Sequence, residues 1–464
     1  MKFLYIKKAA VIFTAACMAA SFSISVYAEE TTDESDENTF TDEVLTYKKV
    51  DGGVYITDCD DNVSSVNISK EVDGYAVIGV ETNAFAECEK LKEVILPDSV
   101  KYMGESVFTG CTGLKKVKIP DGITEIPKQT FALCVELEEI EIPQSVTTIG
   151  EYAFSYCNDL SWFDIPETIT DISDYAFAYS VMGETLELPE GLESLGSLSF
   201  YYSQGLKTVT LPSTLNSVGS LAFLGCADLT EYKVADGNTT YTAENGILYT
   251  ADMTNLVSYP AGKTDEVFNL PETVQYISDG AFFANTYVSE INLTDSLISL
   301  GTAAFSNCTS LKYMEIPAGV TELPDSLFCD CTSLREVVIP DTVTTIGPYA
   351  FLECTLLTNV TISDNVTEIG DHAFGFTDDD EGNFHKIDGF TIKANFDSQA
   401  KKYAKENKIS IEYLDGNKDM PYIIALIGVG AVAAAVIVVL IILRMKKRKK
   451  EKDYYLSLIH ISEP

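Results

Sequence analysis

The sequence predicts a repeat solenoid, mainly β, built from short parallel strands. Three observations predict it. A phenylalanine, usually within Ala-Phe-x-x-Cys, recurs at Phe85, Phe108, Phe131, Phe154, Phe177, Phe200 and Phe223, and again at Phe282, Phe305, Phe328, Phe351 and Phe374, always 23 residues apart within each run. An alternating apolar pair precedes each one, as in Val117-x-Ile119 or Ile140-x-Ile142, and proline follows that pair at Pro97, Pro120, Pro143, Pro166, Pro189 and Pro212. A period held that strictly means that each unit buries its apolar face only by stacking on its neighbours.

The alternating pair reads as a strand with one face inward. Its inward columns are Val94, Val117, Ile140, Phe163, Leu186 and Val209, then Leu96, Ile119, Ile142, Ile165, Leu188 and Leu211. Proline ends the strand because it lacks an N–H for further pairing. A second apolar pair follows, such as Val146 and Ile149. Glycine at Gly104, Gly150, Gly196, Gly219, Gly301, Gly347 and Gly370 is then expected to permit a tight corner. About a dozen coils at roughly 4.8 Å each give a rod on the order of 60 Å long.

In these residues the chain resembles the BspA-like leucine-rich repeat family, bacterial surface proteins with this 23-residue unit. The resemblance covers roughly residues 45 to 414. It implies a surface adhesin or interaction module, with no shared active site to carry over.

Taken in order, residues 1–28 read as a secretory signal: Lys2, Lys7 and Lys8, an apolar run, and a small-residue site at Val26-Tyr27-Ala28. Residues 29–43 form an acidic disordered arm. Residues 44–80 are strand-like but off register and suit an N-terminal cap. Repeats then occupy 81–229 and 267–377. Between them, 230–266 is a variant insertion in which Asn245-Gly246 signals a hairpin. The expectation is a decorated coil with a protruding hairpin, the sharper alternative a binding finger. Residues 378–421 supply a C-terminal cap and linker, with an acidic loop at Asp378-Asp379-Asp380-Glu381-Gly382 that reads as solvated rather than as a calcium site, because the EF-hand spacing is absent. Residues 422–443 carry no charge over 22 positions, the length of a transmembrane helix. A basic tail, 444–464, follows, and its end from Leu456 looks foreign to it. The expected location is the plasma membrane, single-pass, with the repeats extracellular and the basic C-terminus cytoplasmic.

The chain carries a formal charge of −38, and excluding leader and tail leaves about −45. Such a surface repels phosphate backbones and excludes nucleic acid as a natural partner. Cys88, Cys111, Cys134, Cys157, Cys226, Cys308, Cys331 and Cys354 share one column with Ser180, Ser203, Asn285 and Thr377. Stacked neighbours lie within disulfide range, but Cys226 has no adjacent cysteine and the last three leave one over. Small buried free thiols explain the column better, and a spacing of 23 supplies no close zinc pair. The three histidines, His372, His385 and His460, form no nucleophile–base arrangement, so neither an enzyme nor a cofactor is expected.

Function is therefore expected on the outward strand positions. The candidates are Trp162, Asp164, Glu139, Glu141, Tyr313 and Glu315. Trp162, the single tryptophan, is the natural aromatic anchor. The expected partner is an extracellular protein ligand, from host matrix or a cell surface, bound in an adhesin-like manner. The alternative is an envelope polysaccharide, or a scaffold role in the bacterium's own envelope.

Overall fold

The computed structural model describes residues 38–160, 164–379 and 381–415. Most described coils contribute one rung to each of two parallel ladders. The first ladder uses three- or four-residue strands: Ser65–Asn67, Glu93–Ile95, Lys116–Lys118 and Glu139–Glu141 pair in order, and Thr185–Glu187, Thr208–Leu211 and Glu231–Val234 form a second set. Among these strands, from Glu93 on, each pairing joins residues 23 apart, as Val94↔Val117↔Ile140. The second ladder uses the pairs Glu125–Ile126, Thr148–Ile149, Asp171–Ile172, Ser194–Leu195 and Ser217–Val218. Proline separates the two. Its carbonyl accepts from the N–H three residues on, as Ile123 to Pro120 at 3.1 Å and Val146 to Pro143 at 3.1 Å, so the residue that stops one strand also opens the turn toward the next. Most inward columns are buried, whereas Ile140, Ile142 and Ile165 are half-buried.

The Ala-Phe segment forms the third wall, and it has no regular strand. In this wall, alternate N–H groups cross to the next coil: Asn83 to Glu105, Phe85 to Val107 and Glu87 to Thr109, at 2.7–3.1 Å. The N–H groups between them close turns on their own coil, as Ala86 to Asn83 and Cys88 to Phe85. This alternation forces two left-handed residues per coil, two before and two after the phenylalanine. They include Asn83 (φ 62°), Glu87 (φ 62°), Tyr152 (φ 57°), Tyr156 (φ 61°), Tyr175 (φ 56°) and Tyr179 (φ 60°). A side chain at such a φ costs about 1–2 kcal/mol. What offsets that cost is the buried phenylalanine column, whose rings follow one another at 5.1–5.4 Å from Phe85 to Phe223.

The corner glycines serve a different purpose from the expected one. None of Gly104, Gly196 or Gly301 has a positive φ. The coil before passes too close for a Cβ, which would stand 2.4 Å from the Thr82 nitrogen at Gly104, 2.4 Å from the Asp174 nitrogen at Gly196 and 2.3 Å from the Asp279 nitrogen at Gly301. Close approach of backbones, not turn geometry, selects glycine there.

The cysteine column consists of buried free thiols. Each cysteine of the column from Cys111 on donates to the carbonyl of the phenylalanine 26 residues earlier: Cys111 to Phe85 (2.9 Å), Cys134 to Phe108 (3.1 Å), Cys157 to Phe131 (3.4 Å), Cys226 to Phe200 (3.1 Å) and Cys354 to Phe328 (3.1 Å). Ser180 and Ser203 make the same bond to Phe154 and Phe177 at 2.6 and 2.9 Å. The column therefore selects a small hydrogen-bond donor, which is why serine replaces cysteine.

The insertion is a joint. Tyr241–Glu244 and Ile247–Thr250 form an antiparallel hairpin through Asn245 (φ 52°) and Gly246 (φ 78°), and Asn255–Ser258 continues it before pairing parallel with Tyr276–Ile277. Rather than protruding, the hairpin buries Ile247, Leu248 and Tyr249. One core cluster runs from Leu45 to Leu248 and a second from Ile247 to Ala404. Tyr259, 23 residues before Phe282, starts the second aromatic column by stacking on that ring at 4.7 Å.

The ends are closed by different devices. Thr39–Thr41, Leu45–Val50 and Gly53–Cys59 form an antiparallel meander whose last strand lies parallel to Tyr75–Val80. At the other end, Thr391–Ala394 and Ser410–Tyr413 extend the ladder from Asn359–Thr361, linked by the helix Gln399–Asn407. From that helix the Tyr403 hydroxyl donates to the Phe374 carbonyl (3.2 Å) and accepts from its N–H (3.0 Å), closing the last phenylalanine's backbone.

The single-pass membrane location is corrected. Among the described residues no helix is long and apolar enough to cross a membrane, and Gln399–Asn407 has 9 residues. The proposed spanning stretch 422–443, the basic tail and the leader 1–28 lie outside the described residues.

Three substitution sets test this packing by thermal or chemical unfolding. Phe154→Ala is expected to cost about 3–5 kcal/mol as a large-to-small core change. Cys134→Ser should be nearly neutral, while Cys134→Val should cost about 1–3 kcal/mol by leaving the Phe108 carbonyl unpaired. Ser199 carries a buried hydroxyl with no hydrogen-bond partner, at a position where Ala153, Ala176 and Ala222 stand in neighbouring coils. Ser199→Ala should therefore stabilise the protein.

Candidate binding surface

Of the residues singled out from the sequence, four lie on the strands Glu139–Glu141 and Tyr313–Glu315. Glu139 is exposed, but Lys116 lies opposite it in register and its ammonium reaches the carboxylate at 2.7 Å. Lys115 pairs likewise with Glu138 at 2.8 Å. Such exposed pairs contribute about 0–1 kcal/mol, yet they compensate the face locally. Glu141 is exposed beside Lys118 in the same register, and Asp164 is exposed. Tyr313 is 39% exposed, and its hydroxyl donates to the Glu315 carboxylate at 3.1 Å. Glu139 and Glu141 belong to the sheet ending at Glu139–Glu141, whereas Tyr313 and Glu315 belong to the sheet beyond the joint. The two sets are not brought together. Trp162 lies outside the described residues.

A concave surface forms at the joint instead. The second ladder stops at Val218, whose N–H is taken at 2.8 Å by the hydroxyl of Tyr241 rather than by a strand carbonyl. The ladder restarts at Asn255. Between the two lies an open groove of about 810 Å³, lined among others by Val218, Asn255, Tyr276, Asp279, Ile298 and Glu322. Tyr276 is 44% and Ile298 48% exposed there. No local motif marks these residues, since they come from both sides of the interruption. The one sequence signal was the break in period itself.

The turn wall carries two further clusters. Tyrosines occupy its left-handed positions and stack outside the core, Tyr152 on Tyr175 and Tyr156 on Tyr179 at 4.7 Å, with Tyr202 meeting Phe283 across the joint. Beyond the joint, Asp330, Glu353 and Asp378 lie close together, with the Asp378 N–H donating to Glu353 Oε1 at 2.8 Å and the Cys329 thiol to Asp330 Oδ2 at 3.3 Å. Burial pushes the Asp330 carboxyl up to about 6 and the Glu353 carboxyl up to about 7, with mutual repulsion adding to both. In the acidic loop, Asp379 is held well below the usual range because His385 Nε2 (2.8 Å) and the N–H groups of Asn383 and Glu381 bond its carboxylate. Among the described residues no group of three or more His, Cys, Asp or Glu could hold a metal ion.

The raised carboxyls set a pH dependence. The folded state binds protons at Asp330 and Glu353 that the unfolded chain has released, so their contribution is present below about pH 4 and is lost as pH rises toward 7. Thermal melts from pH 5 to pH 8 should show wild type losing more stability than the Asp330→Asn, Glu353→Gln double variant. Equal slopes would remove these groups from the account.

The repeat region matches the model of the BspA type leucine rich repeat region, over residues 58–183, 170–256 and 262–378. The fold is similar to that of a leucine rich cell surface protein from Faecalibacterium prausnitzii, at 26% identity and a TM-score of 0.61, covering 80% of this chain and 97% of that one. It is also similar to the pneumococcal vaccine antigen PcpA, at 20% identity and a TM-score of 0.53, covering 81% and 98%. Comparison with curated proteins gives no match. With its repeats matched over more than half of its length, the chain belongs to the BspA-type leucine-rich repeat family.

Proposed function

We propose that the rod acts by binding, without catalysis: it takes a protein ligand at a cell surface, in an adhesin-like role toward host matrix or another cell, and the joint groove is the principal contact. The observation that carries this reading is the exposure of Tyr276 and Ile298 in a concave site of about 810 Å³. Partly exposed aromatic and aliphatic side chains in a depression are what interface anchors require. Asp279 and Glu322 line the same groove, and the chain's charge of −38 favours a basic ligand. Glu139, Glu141, Asp164 and Trp162 are secondary contacts in this reading. The similarity to a cell surface protein of Faecalibacterium prausnitzii supports the surface role.

A second reading, an envelope polysaccharide ligand, is favoured by one feature: Tyr313 stands exposed with Glu315 fixed beside its hydroxyl. That pairing gives a sugar a stacking face and a hydrogen-bond acceptor.

Binding of the purified protein to a panel of matrix proteins and wall polysaccharides separates the two. Saturable protein binding is expected. It should weaken with added salt, fall at least about tenfold in the Tyr276→Ser, Ile298→Ser double variant, and stay unchanged in Tyr313→Ala. Protein binding that ignores the double variant would sink the groove. Glycan binding alone, lost in Tyr313→Ala, would replace the protein ligand with the polysaccharide.

A further inference from the structure

The phenylalanine wall has one break. In each coil from Phe85 to Phe200, three N–H groups cross to the next coil, from the phenylalanine and from the residues two before and two after it. Leu198, Phe200 and Tyr202, for example, donate to the carbonyls of Ser220, Ala222 and Leu224 at 3.1, 2.8 and 2.8 Å. The pattern resumes at Gly280, Phe282 and Ala284, which donate to Thr302, Ala304 and Ser306. In the coil of Phe223, the N–H groups of Leu221, Phe223 and Gly225 donate to nothing among the described residues. Phe223 and Gly225 are buried, and buried N–H groups are almost always paired.

The insertion is the cause. Pro260 follows Tyr259, where the acceptor for Gly225 is due, but its carbonyl takes the Lys263 N–H and the Asn285 amide, both at 3.1 Å. Of the three carbonyls that the Phe282 coil offers back, only that of Ala281 is used, by the Tyr259 N–H at 2.7 Å. What spans the wall here is side chains. Leu221 and Leu224 lie against Gly280, where an added Cβ would stand 2.5 and 2.7 Å from their methyl carbons. The Ser220 hydroxyl donates to the Asp279 carboxylate at 3.4 Å, and Tyr202 meets Phe283 edge-on at 6.4 Å. A cavity of about 40 Å³ remains, lined among others by Phe223, Gly225, Tyr259 and Phe283. On the first-ladder side, backbone bonds continue across the joint: the Tyr232 N–H donates to the Gly246 carbonyl at 2.9 Å and the Gly262 N–H to that of Leu229 at 2.7 Å.

We propose that the joint is a hinge. The coils from Phe282 on swing away from those ending at Phe223 about these two backbone bonds, and the wall parts between Leu221 and Gly280. The closed form keeps the apolar contacts of Leu221, Leu224 and Phe283 but leaves three donors unmet. The open form exposes those side chains and gives the donors, with the Asp279 and Phe283 carbonyls, to water. Each form satisfies what the other does not, which is the balance a two-state element requires. An intact stretch of wall has no such balance, since parting it would lose three hydrogen bonds as well as the apolar contact. Val218, Gly219, Leu221, Val257 and Asp279 line both this cavity and the groove of about 810 Å³, so the swing alters the groove, although the hinge stands whether or not the groove takes a ligand.

Pulsed electron paramagnetic resonance on the full chain tests it, with nitroxide labels at Thr147→Cys and Thr367→Cys, exposed positions on either side of the joint. The cysteines of the described residues are buried and stay unlabelled. The distance distribution is expected to be double, or broader than that of a control pair within the first half, Glu71→Cys with Thr147→Cys. Adding Ser220→Cys and Asp279→Cys, oxidised to a cross-link before labelling, should narrow it to a single distance. Leu221→Ser with Leu224→Ser removes the apolar contact and should shift the population toward the other distance, with circular dichroism checking that the ladders persist. A wild-type distribution as narrow as the control, or one that neither the cross-link nor the leucine variant changes, would overturn the hinge.

Discussion

The structure depends on the backbone geometry of the phenylalanine wall. Only alternate N–H groups can reach the next coil there, so the chain turns back through a left-handed residue on either side of each ring. The result fixes both neighbours of the phenylalanine. Its N–H is spent on the next coil, and its carbonyl accepts both the N–H three residues on in its own coil and the side chain of the following unit's donor column. One aromatic ring thus sets the stack, the hydrogen-bond register and the identity of a residue 26 positions later. A period of 23 tolerates no drift because all three would fail together.

That dependence explains what could be read from the sequence. The solenoid, its period and its inward columns follow from residues that repeat, and repetition is visible without coordinates. The small residue in the donor column was legible too, although its purpose was not: a thiol and a hydroxyl look unlike until both are seen donating to the same carbonyl. The corner glycines were legible as a pattern and misjudged in cause, since the contact they accommodate is with a backbone 22 residues away in sequence, Thr82 under Gly104. The left-handed positions were not legible. Tyr152, Tyr156, Tyr175 and Tyr179 are among the last residues propensity would place at positive φ, and only the stack makes them affordable.

The joint was legible as an interruption and nothing more. Two substitutions disguise it. Tyr259 replaces phenylalanine at the head of the second column, and Asn285 replaces cysteine. Its amide donates to the carbonyls of Pro260 and Lys263 at 3.1 and 2.9 Å while accepting from the N–H of Tyr287 and Val288. The longer amide reaches carbonyls at Pro260 and Lys263 in place of the one 26 residues upstream that a thiol takes. Tyr241 makes the same point from the other side. It lies 23 residues after Val218, where the next ladder strand is due, but meets it with a hydroxyl and turns away into a hairpin. The insertion finishes one core and begins another, so stability, which in a solenoid passes from neighbour to neighbour, has its natural division here.

The same division argues where recognition belongs. On the regular strand face, charges from adjacent coils answer one another, Lys116 to Glu139 and Lys115 to Glu138. A ligand docking there must first displace pairs that the protein already satisfies, and gains little specificity from a surface that repeats every few ångströms. At the joint the translation is broken. Tyr276 is flanked by Ser299 on one side but by Asn255, a residue of the insertion, on the other, and Tyr276 and Ile298 stand exposed in the groove formed there. A repeat protein makes a unique site most readily where it stops repeating, and for this chain that place is the meeting of Val218 with the strand that begins at Asn255.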